Sequence, residues 1–203
     1  MKIICIGRNY VKHVEELKNV VAKKPAIFLK PDTALLDKND DFKIPDFSKN
    51  IHHEIEIVLK ISKEGKNIKK EEALNYFNEL SVGIDFTARD IQDELKEKSL
   101  SWEISKAFDG AAVVGDFVSK KTIFDLKDIN FSLTKNSLVV QKGSTKEMIF
   151  DFAFIISYIS KYFTLKPGDL IFTGTPQGVA KVEKNDVLKG FLETNKLFEL
   201  KVK

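Results

Sequence analysis

Apolar and charged side chains alternate most regularly between residues 51 and 61, where the sequence is Ile-His-His-Glu-Ile-Glu-Ile-Val-Leu-Lys-Ile. Successive side chains of a β-strand point to opposite faces, so this pattern predicts a strand with an aliphatic face toward a core. Glu54 and Glu56 would share the other face, with Cα atoms roughly 6.5–7 Å apart. At that spacing both carboxylates can reach one cation. The same pattern also fits two solvated acids on the outer face of a half-buried strand.

The rest of the chain divides into short strands and short helices separated by turns. Strands are predicted over residues 2–7, 26–29, 80–86, 111–118, 170–172, 186–192 and 197–202, with a hairpin of 130–133 and 137–141. Helices are predicted over residues 13–19, 69–77 and 151–163. Another helix is expected to begin with Thr87 as its N-cap and Asp90 as the acid of a capping box. The 3.6-residue apolar period over 151–163 predicts a well-buried core helix.

Composition narrows the class of protein. A chain of 203 residues fits one domain, and its formal net charge of +3 is small. Of the 33 basic residues 31 are lysines spread among 30 acids, which is unlike the clustered, arginine-rich surface typical of nucleic-acid binding. No apolar run is long enough to predict a membrane segment. The single cysteine, Cys5, cannot form an internal disulfide, so a reducing cytoplasm is expected.

Arginine and histidine are scarce, which makes their positions candidates for chemistry. The two arginines are Arg8 and Arg89, and a guanidinium can hold a substrate carboxylate or an internal one by two hydrogen bonds. His13 and Glu16 lie three residues apart on a predicted helix, so their side chains can touch and fix the imidazole tautomer. A chance pair on a surface helix fits the same spacing. Asp85 ends a predicted strand, where a carboxylate is either functional or a simple polar boundary.

Seven short motifs then occur in one fixed order along nearly the whole chain. They are Gly7-Arg8-Asn9-Tyr10, His13-x-x-Glu16, Phe28-Leu29-Lys30-Pro31, His52-His53-Glu54-x-Glu56, Asp85-x-Thr87-Ala88-Arg89-Asp90-x-Gln92, Ser105-Lys106-x-Phe108-Asp109 and Gly174-Thr175-Pro176-x-Gly178-Val179. Each motif alone is weak evidence. Together they closely resemble the fumarylacetoacetate hydrolase family, and within it the short acylpyruvase and oxaloacetate decarboxylase branch.

The resemblance implies a fold, a site and an assembly. The fold would be α+β and mainly β, a mixed β-roll with short flanking helices, in a single catalytic domain over residues 1–203. Residues 1–50 would form an N-terminal arm and lid, residues 51–203 a metal-binding core, and the protein a homodimer. The implied roles are Glu54, Glu56 and Asp85 as ligands of Mg²⁺ or Mn²⁺, Lys106, His13 and Glu16 as catalytic residues, and Arg8, Gln92 and Thr175 as substrate contacts.

The implied activity is cleavage of small 2-oxo acids with a divalent metal, by hydrolysis of acylpyruvates or fumarylpyruvate, decarboxylation of oxaloacetate, or both. Each reaction would pass through an enolate of pyruvate stabilised by the metal and Lys106. One alternative is isomerisation or hydration of 2-oxo-enoic diacids from aromatic catabolism. Two others are a metal-stabilised structural module without turnover and a nucleic-acid-binding protein, although no nucleic-acid or membrane partner is expected.

Overall fold

The computed structural model describes residues 1–16, 23–38 and 40–203. These residues form fourteen β-strands, which account for most of the regular structure. The strands are β1 (Ile3–Gly7), β2 (Ala26–Lys30), β3 (Ile51–His53), β4 (Ile55–Ile61), β5 (Phe77–Asp85), β6 (Thr87–Ala88), β7 (Ala112–Val114), β8 (Val118–Ser119), β9 (Asn130–Lys135), β10 (Leu138–Ser144), β11 (Leu170–Phe172), β12 (Ala180–Lys181), β13 (Val187–Leu192) and β14 (Asn195–Lys201).

The helices are short and lie around the strands. In the described part of the chain the α-helices are α1 (Val11–Glu16), α2 (Arg89–Glu97), α3 (Glu103–Lys106) and α4 (Phe152–Ser160), and 3₁₀ helices span Asp32–Ala34, Lys70–Tyr76, Lys120–Thr122 and Thr145–Glu147. None of the described helices has the length and apolarity needed to cross a membrane. The predicted α+β, mainly β fold is confirmed. Residues 17–19 of the predicted first helix lie outside the described residues.

A seven-stranded mixed sheet forms the centre of the molecule. Its strands follow the order β2-β1-β11-β4-β5-β7, and β8 pairs with β5; β1 and β11 run parallel, whereas the other pairs are antiparallel. Both faces are covered: Ile57 and Leu59 of β4 pack in the main core, while Val58 packs in a smaller core on the opposite face. The alternative of a half-buried strand with a solvated outer face is therefore wrong.

Two smaller sheets complete the roll. The first is antiparallel, in the order β10-β9-β13-β14, and contains the predicted hairpin, whose turn is made by Asn136 and Ser137 with positive φ angles of 52° and 70°. The second has the order β12-β3-β6. The chain leaves this sheet at Glu54 and enters the seven-stranded sheet at Ile55. The single strand predicted over residues 51–61 was thus wrong at Glu54, because the chain changes sheets there.

Three helix predictions need correction or qualification. The helix predicted over 69–77 is a 3₁₀ helix, Lys70–Tyr76, and Phe77 already belongs to β5.

Thr87 is not the N-cap of the next helix, α2. Ala88 occupies the N-cap position without a side-chain hydrogen bond, because Thr87 lies in β6 and its hydroxyl accepts a hydrogen bond from Lys106. The core helix predicted over 151–163 is α4, which ends at Ser160, three residues earlier than predicted, and Asp151 caps it by accepting from the Phe154 N–H at 2.7 Å. Tyr162, expected to be buried with it, is exposed.

The topology collects several strand ends at one edge of the central sheet. Strands β1 and β11 are parallel and end there at Gly7 and Phe172, while β4 begins there and its antiparallel neighbour β5 ends there. The predicted division at residue 50 stays a prediction, although β1 and β2 lie in the same sheet as β4 and β5.

Buried Asn9 joins three of the segments that meet at this edge. Its side-chain amide donates to the carbonyl oxygens of Thr173 at 2.8 Å and Phe150 at 3.0 Å, and its carbonyl accepts from the Phe150 N–H at 2.7 Å. The side chain is fully excluded from solvent. Removing it would leave buried backbone groups without partners, and each such group costs about 1–3 kcal/mol.

We therefore predict that Asn9→Ala lowers the free energy of unfolding by about 2 kcal/mol or more. The loss would be measured by urea unfolding monitored by circular dichroism. Asn75→Ala is the matched control, since Asn75 is exposed, and a change within about 0.5 kcal/mol is expected there. Equal stabilities for the two variants would contradict the proposed role of Asn9.

Candidate active site

Three buried carboxylates meet where β4 begins and β5 ends. Glu54 occupies the break between β3 and β4, Glu56 is the second residue of β4, and Asp85 is the last residue of β5. One oxygen from each lies within 4.8 Å of the other two. Their exposed fractions are 4%, 2% and 1%, so they are not the solvated acids that the alternation also allowed.

Three buried cations surround these acids. The Lys106 ammonium donates to Glu54 Oε2 at 2.7 Å, Asp85 Oδ2 at 2.8 Å and Thr87 Oγ1 at 2.6 Å. Lys30 pairs with Asp85 Oδ1 at 2.7 Å, and the Arg89 guanidinium pairs with Glu54. Since an isolated buried charge is costly, this neutralisation is a condition for burying the carboxylates together.

The cations act unequally on the three acids. Burial raises the pKa of Glu54, but Lys106 and Arg89 outweigh burial and hold that pKa well below its usual range. Burial also raises the pKa of Glu56, and the charges of Asp85 and Glu54 raise it further. Among the described residues no cation forms an ion pair with Glu56. Burial and the neighbouring acids thus favour the protonated form of Glu56.

A backbone amide takes the place of a cation beside Glu56. The N–H of Gly174 donates to Glu56 Oε2 at 2.7 Å. Gly174 has a φ of +104°, and a Cβ built there would lie 2.6 Å from the Cβ of Asn9. Only glycine fits this position, because it has no side chain to collide and tolerates the left-handed backbone.

The donor set fits a hard divalent cation. Carboxylate oxygens are the ligands that Mg²⁺ and Mn²⁺ prefer, and one from each of the three acids converges here. The Lys106 ammonium already lies between two of the acids. Glu54, Glu56 and Asp85 can therefore hold a divalent cation, the role that the family resemblance implied for all three; the metal role itself stays a prediction.

The carboxylates line a cavity that is open to solvent on one side. Most other predicted site residues line it too, together with side chains that the sequence did not single out. Besides the three carboxylates, its polar and aromatic lining consists of Arg8, His13, Phe28, Arg89, Gln92, Lys96, Trp102, Lys106 and Thr175. Arg8 has a positive φ of 62°, and its guanidinium lies 5.5 Å from the centre of the Trp102 ring. The aromatic face can hold this cation at the cavity wall without neutralising it.

His13 and Glu16 form the contact that their spacing predicted. His13 Nδ1 lies 3.3 Å from Glu16 Oε2, and the other carboxylate oxygen, Oε1, accepts from the Gly178 N–H at 3.0 Å. Burial lowers the pKa of His13, so its neutral form is favoured. A carboxylate can only accept, which places the imidazole proton on Nδ1 and leaves Nε2 free to take a proton. His13 is buried, so the alternative of a chance surface pair does not hold.

Two remaining predicted contacts are engaged within the protein. Gln92 accepts a hydrogen bond from Arg89, and the Thr175 hydroxyl accepts one from Gln141 at 2.9 Å.

Lys30, Lys96 and Gln141 were not predicted from the sequence as site residues. Lys30 stood out only as part of the motif Phe28-Leu29-Lys30-Pro31. A lysine that ends an otherwise apolar strand, directly before Pro31, was the available signal for a buried partner. Lys96 and Gln141 gave no comparable signal.

The residues and their geometry can now be compared with known proteins. A family model described as fumarylacetoacetate (FAA) hydrolase C-terminal matches residues 2–202. The chain belongs to the fumarylacetoacetate hydrolase family. The resemblance inferred from the seven motifs is therefore confirmed, and so is the mixed β-roll that it implied.

Relatives within the fumarylacetoacetate hydrolase family carry several activity names. The chain is 39% identical over 201 residues to mouse oxaloacetate tautomerase FAHD1, mitochondrial, covering 99% of this chain and 91% of the relative. It is 40% identical to oxaloacetate decarboxylase, mitochondrial, of Dictyostelium discoideum over 189 residues, covering 93% and 87%. The solved fumarylpyruvate hydrolase of Pseudomonas aeruginosa, in complex with Mn²⁺ and pyruvate, superposes with a TM-score of 0.93 at 33% identity, covering 100% of this chain and 89% of that one.

The raised pKa of Glu56 generates a prediction about cation binding. A carboxylate must lose its proton to bind a metal, so Mn²⁺ binding should release protons, and its affinity should rise with pH until Glu56 is ionised. Calorimetric titrations with Mn²⁺ between pH about 5 and about 8, in buffers of different ionisation enthalpy, measure both effects.

Glu56→Gln supplies the control for this measurement. The glutamine side chain has the same shape as glutamate but no titrating proton. Proton release on Mn²⁺ binding should therefore fall, and the Mn²⁺ affinity should depend less on pH. Wild-type binding without proton release would show that Glu56 is ionised before the cation arrives, contrary to the direction of its pKa shift.

Proposed function

We propose that this protein is a divalent-metal-dependent enzyme that cleaves small 2-oxo acids through an enolate of pyruvate. The proposed reactions are hydrolysis of acylpyruvates such as fumarylpyruvate and decarboxylation of oxaloacetate. The observation that carries this proposal is the position of the Lys106 ammonium, which lies against Glu54 and Asp85 in the cavity that His13 also lines. A fixed cation and a neutral base in one cavity suit chemistry in which an enolate forms.

The names of the relatives support the same intermediate. Oxaloacetate decarboxylation and fumarylpyruvate hydrolysis both break the bond between C3 and C4 of a 2-oxo acid. In each case the electron pair of that bond passes to C3 and is delocalised onto the keto oxygen. One site that stabilises the enolate of pyruvate can therefore serve both reactions.

Glu54, Glu56 and Asp85 would hold the metal. A bound Mg²⁺ or Mn²⁺ would supply a Lewis acid toward the keto oxygen of the substrate. The solved relative with Mn²⁺ and pyruvate supports this choice of ions and of substrate class, without deciding between the two metals.

The cations of the cavity favour anionic substrates. Three cations are already paired with carboxylates, namely Lys30, Lys106 and Arg89. Arg8, in contrast, lies against the Trp102 ring. The Lys96 ammonium has only a long contact with a carboxylate, 3.7 Å from Asp93 Oδ1. We propose that Arg8 binds a substrate carboxylate through two N–H groups of its guanidinium, and that Lys106 donates a hydrogen bond to the developing enolate oxygen. Gln92 and Thr175 line the same cavity and would complete the substrate contacts.

For hydrolysis, His13 is proposed as the general base that activates water. Nε2 takes a proton from water while Glu16 holds the imidazole through Nδ1, and the oxygen attacks the distal acyl carbonyl. The C3–C4 bond then breaks, leaving a carboxylic acid and the enolate of pyruvate, which takes up a proton at C3. Decarboxylation needs no attacking water, because carbon dioxide leaves with the bond cleavage itself.

Isomerisation is a second candidate function. The mouse relative is named an oxaloacetate tautomerase, and moving a proton between C3 and the keto oxygen uses the same enolate without C–C cleavage. His13 is neutral and has a free Nε2, so it could carry that proton. The isomerase or hydratase acting on 2-oxo-enoic diacids remains an alternative of this kind.

Assembly and location remain proposals. The homodimer rests on the family resemblance. The single cysteine supports a reducing compartment, and the cytoplasm stays a prediction, since the mouse and Dictyostelium relatives are named mitochondrial.

The proposed division of roles predicts how variants separate the two cleavage reactions. His13→Ala and Glu16→Ala should slow acetylpyruvate hydrolysis by about 10²–10⁴-fold, the usual cost of losing a positioned base. Oxaloacetate decarboxylation should suffer much less, because it needs no activated water. Steady-state kinetics of the purified protein on both substrates, with saturating Mg²⁺, measure the difference.

Further variants complete this experiment. Lys106→Ala and Glu54→Ala should abolish both reactions, while Glu15→Ala, an exposed neighbour of Glu16 on α1, should leave both near the wild-type rate. If His13→Ala slows hydrolysis and decarboxylation equally, His13 and Glu16 do not serve as a dedicated base for activating water. If the wild-type protein cleaves neither substrate with Mg²⁺ or Mn²⁺, the proposed function is wrong.

A further inference from the structure

Gln141 is a buried polar residue without a role in the chemistry described above. It lies on β10 with 1% of its surface exposed. The pairing of β10 with β9 shifts between Val139 and Gln141, so Val140 is an extra residue in the strand. Such a bulge changes the direction of the following side chain, and here Leu138 and Val139 are exposed while Gln141 points inward.

The amide of Gln141 uses its full hydrogen-bonding capacity. Its Oε1 accepts from the Ile55 N–H at 3.0 Å and contacts His53 Nδ1 at 2.8 Å, while its Nε2 donates to Thr175 Oγ1 at 2.9 Å and the Pro176 carbonyl at 3.0 Å. A backbone N–H can only donate and a carbonyl can only accept, so these two partners fix which end of the amide is which.

One end of this amide contacts both sequence neighbours of Glu54, through the imidazole of His53 and the backbone N–H of Ile55. Both groups contact the same oxygen. Since that oxygen accepts, His53 must carry its proton on Nδ1. The chain changes sheets at Glu54, where regular strand pairing is interrupted, so Gln141 replaces part of the support that a continuous strand would give.

The Nε2 end of the Gln141 amide determines whether the Thr175 hydroxyl donates or accepts a hydrogen bond. Because Thr175 Oγ1 accepts from Gln141, the hydroxyl keeps its own proton to donate, and its contact with the Pro176 carbonyl is long, at 3.5 Å. Thr175 also lines the cavity. The loop is pressed against the bulge itself: a Cβ at Gly178 would lie 2.5 Å from the Val140 carbonyl oxygen.

We propose that Gln141 is a positioning residue that directs the Thr175 hydroxyl into the cavity as a hydrogen-bond donor to the substrate and holds Thr175 in register with Glu54. This inference rests on the proposed function, because it assigns to Thr175 an anionic or carbonyl oxygen of the 2-oxo acid. Gln141 itself does not touch substrate and acts through Thr175.

The test is a double-mutant cycle between Gln141 and Thr175. Gln141→Glu keeps the shape and the accepting end but removes both donors, so the Thr175 hydroxyl would turn to donate to the new carboxylate. Gln141→Glu and Thr175→Val should each raise KM and lower kcat/KM roughly tenfold to a hundredfold, and the double variant should be no worse than either alone. In a Thr175→Ser background, which keeps a hydroxyl, Gln141→Glu should retain its full effect.

A purely structural role would give a different result. The melting temperature would fall, and kcat/KM per folded molecule would stay at the wild-type value. Gln177→Glu makes the same chemical change on an exposed residue of the same loop and should leave kinetics unchanged. Gln141→Met is the second variant should Gln141→Glu fail to fold. If neither folds, Gln141 is a structural residue and the proposal is overturned.

Binding of pyruvate separates this proposal from the proposed function. Calorimetry of the Mn²⁺-loaded protein gives the pyruvate affinity without any turnover, and Gln141→Glu should weaken it by the same factor as Thr175→Val. A wild-type protein that turns over 2-oxo acids but shows equal pyruvate affinity in these variants would overturn the role of Gln141 alone. A wild-type protein that neither turns over 2-oxo acids nor binds pyruvate would overturn both.

Discussion

Burial of three carboxylates within 4.8 Å of one another is the constraint on which the rest of this structure depends. In low dielectric such acids repel each other and resist ionisation. Three buried cations offset this repulsion: Lys106 contacts two of the acids, and Lys30 and Arg89 contact one acid each. Glu56 is left with a backbone N–H, and its raised pKa follows. The site is therefore close to neutral before a divalent cation binds.

The fold supplies this arrangement through its topology. Antiparallel pairing brings the start of β4 and the end of β5 to the same edge, and the parallel pair β1 and β11 adds the turn with Arg8 and the loop with Thr175. The change of sheet at Glu54 lets two glutamates only two residues apart approach one point from different backbone directions. Local irregularity and function thus coincide, as at Gly174, where close backbone contact requires glycine.

Much of the site could be predicted because it is encoded locally. The Glu-x-Glu spacing, the His13–Glu16 spacing and the scarcity of arginine are visible in short stretches, and the order of motifs identified the family. Lys30 gave only a local hint, as a lysine at the end of an apolar strand, and Gln141 gave none, because their partners Asp85 and Thr175 lie 55 and 34 residues away in sequence. The break at Glu54 and the strand position of Thr87 also depend on tertiary pairing, which overrode the local pattern.

The central claim, that Glu54, Glu56 and Asp85 form one binding site for a divalent cation, is tested most directly by crystallography with Mn²⁺. Anomalous scattering locates the ion independently of the refined side chains. The account predicts one strong peak with an oxygen of each carboxylate at roughly 2.0–2.3 Å. A peak elsewhere, or none at saturating Mn²⁺ with the acids still paired only to Lys30, Lys106 and Arg89, would contradict it.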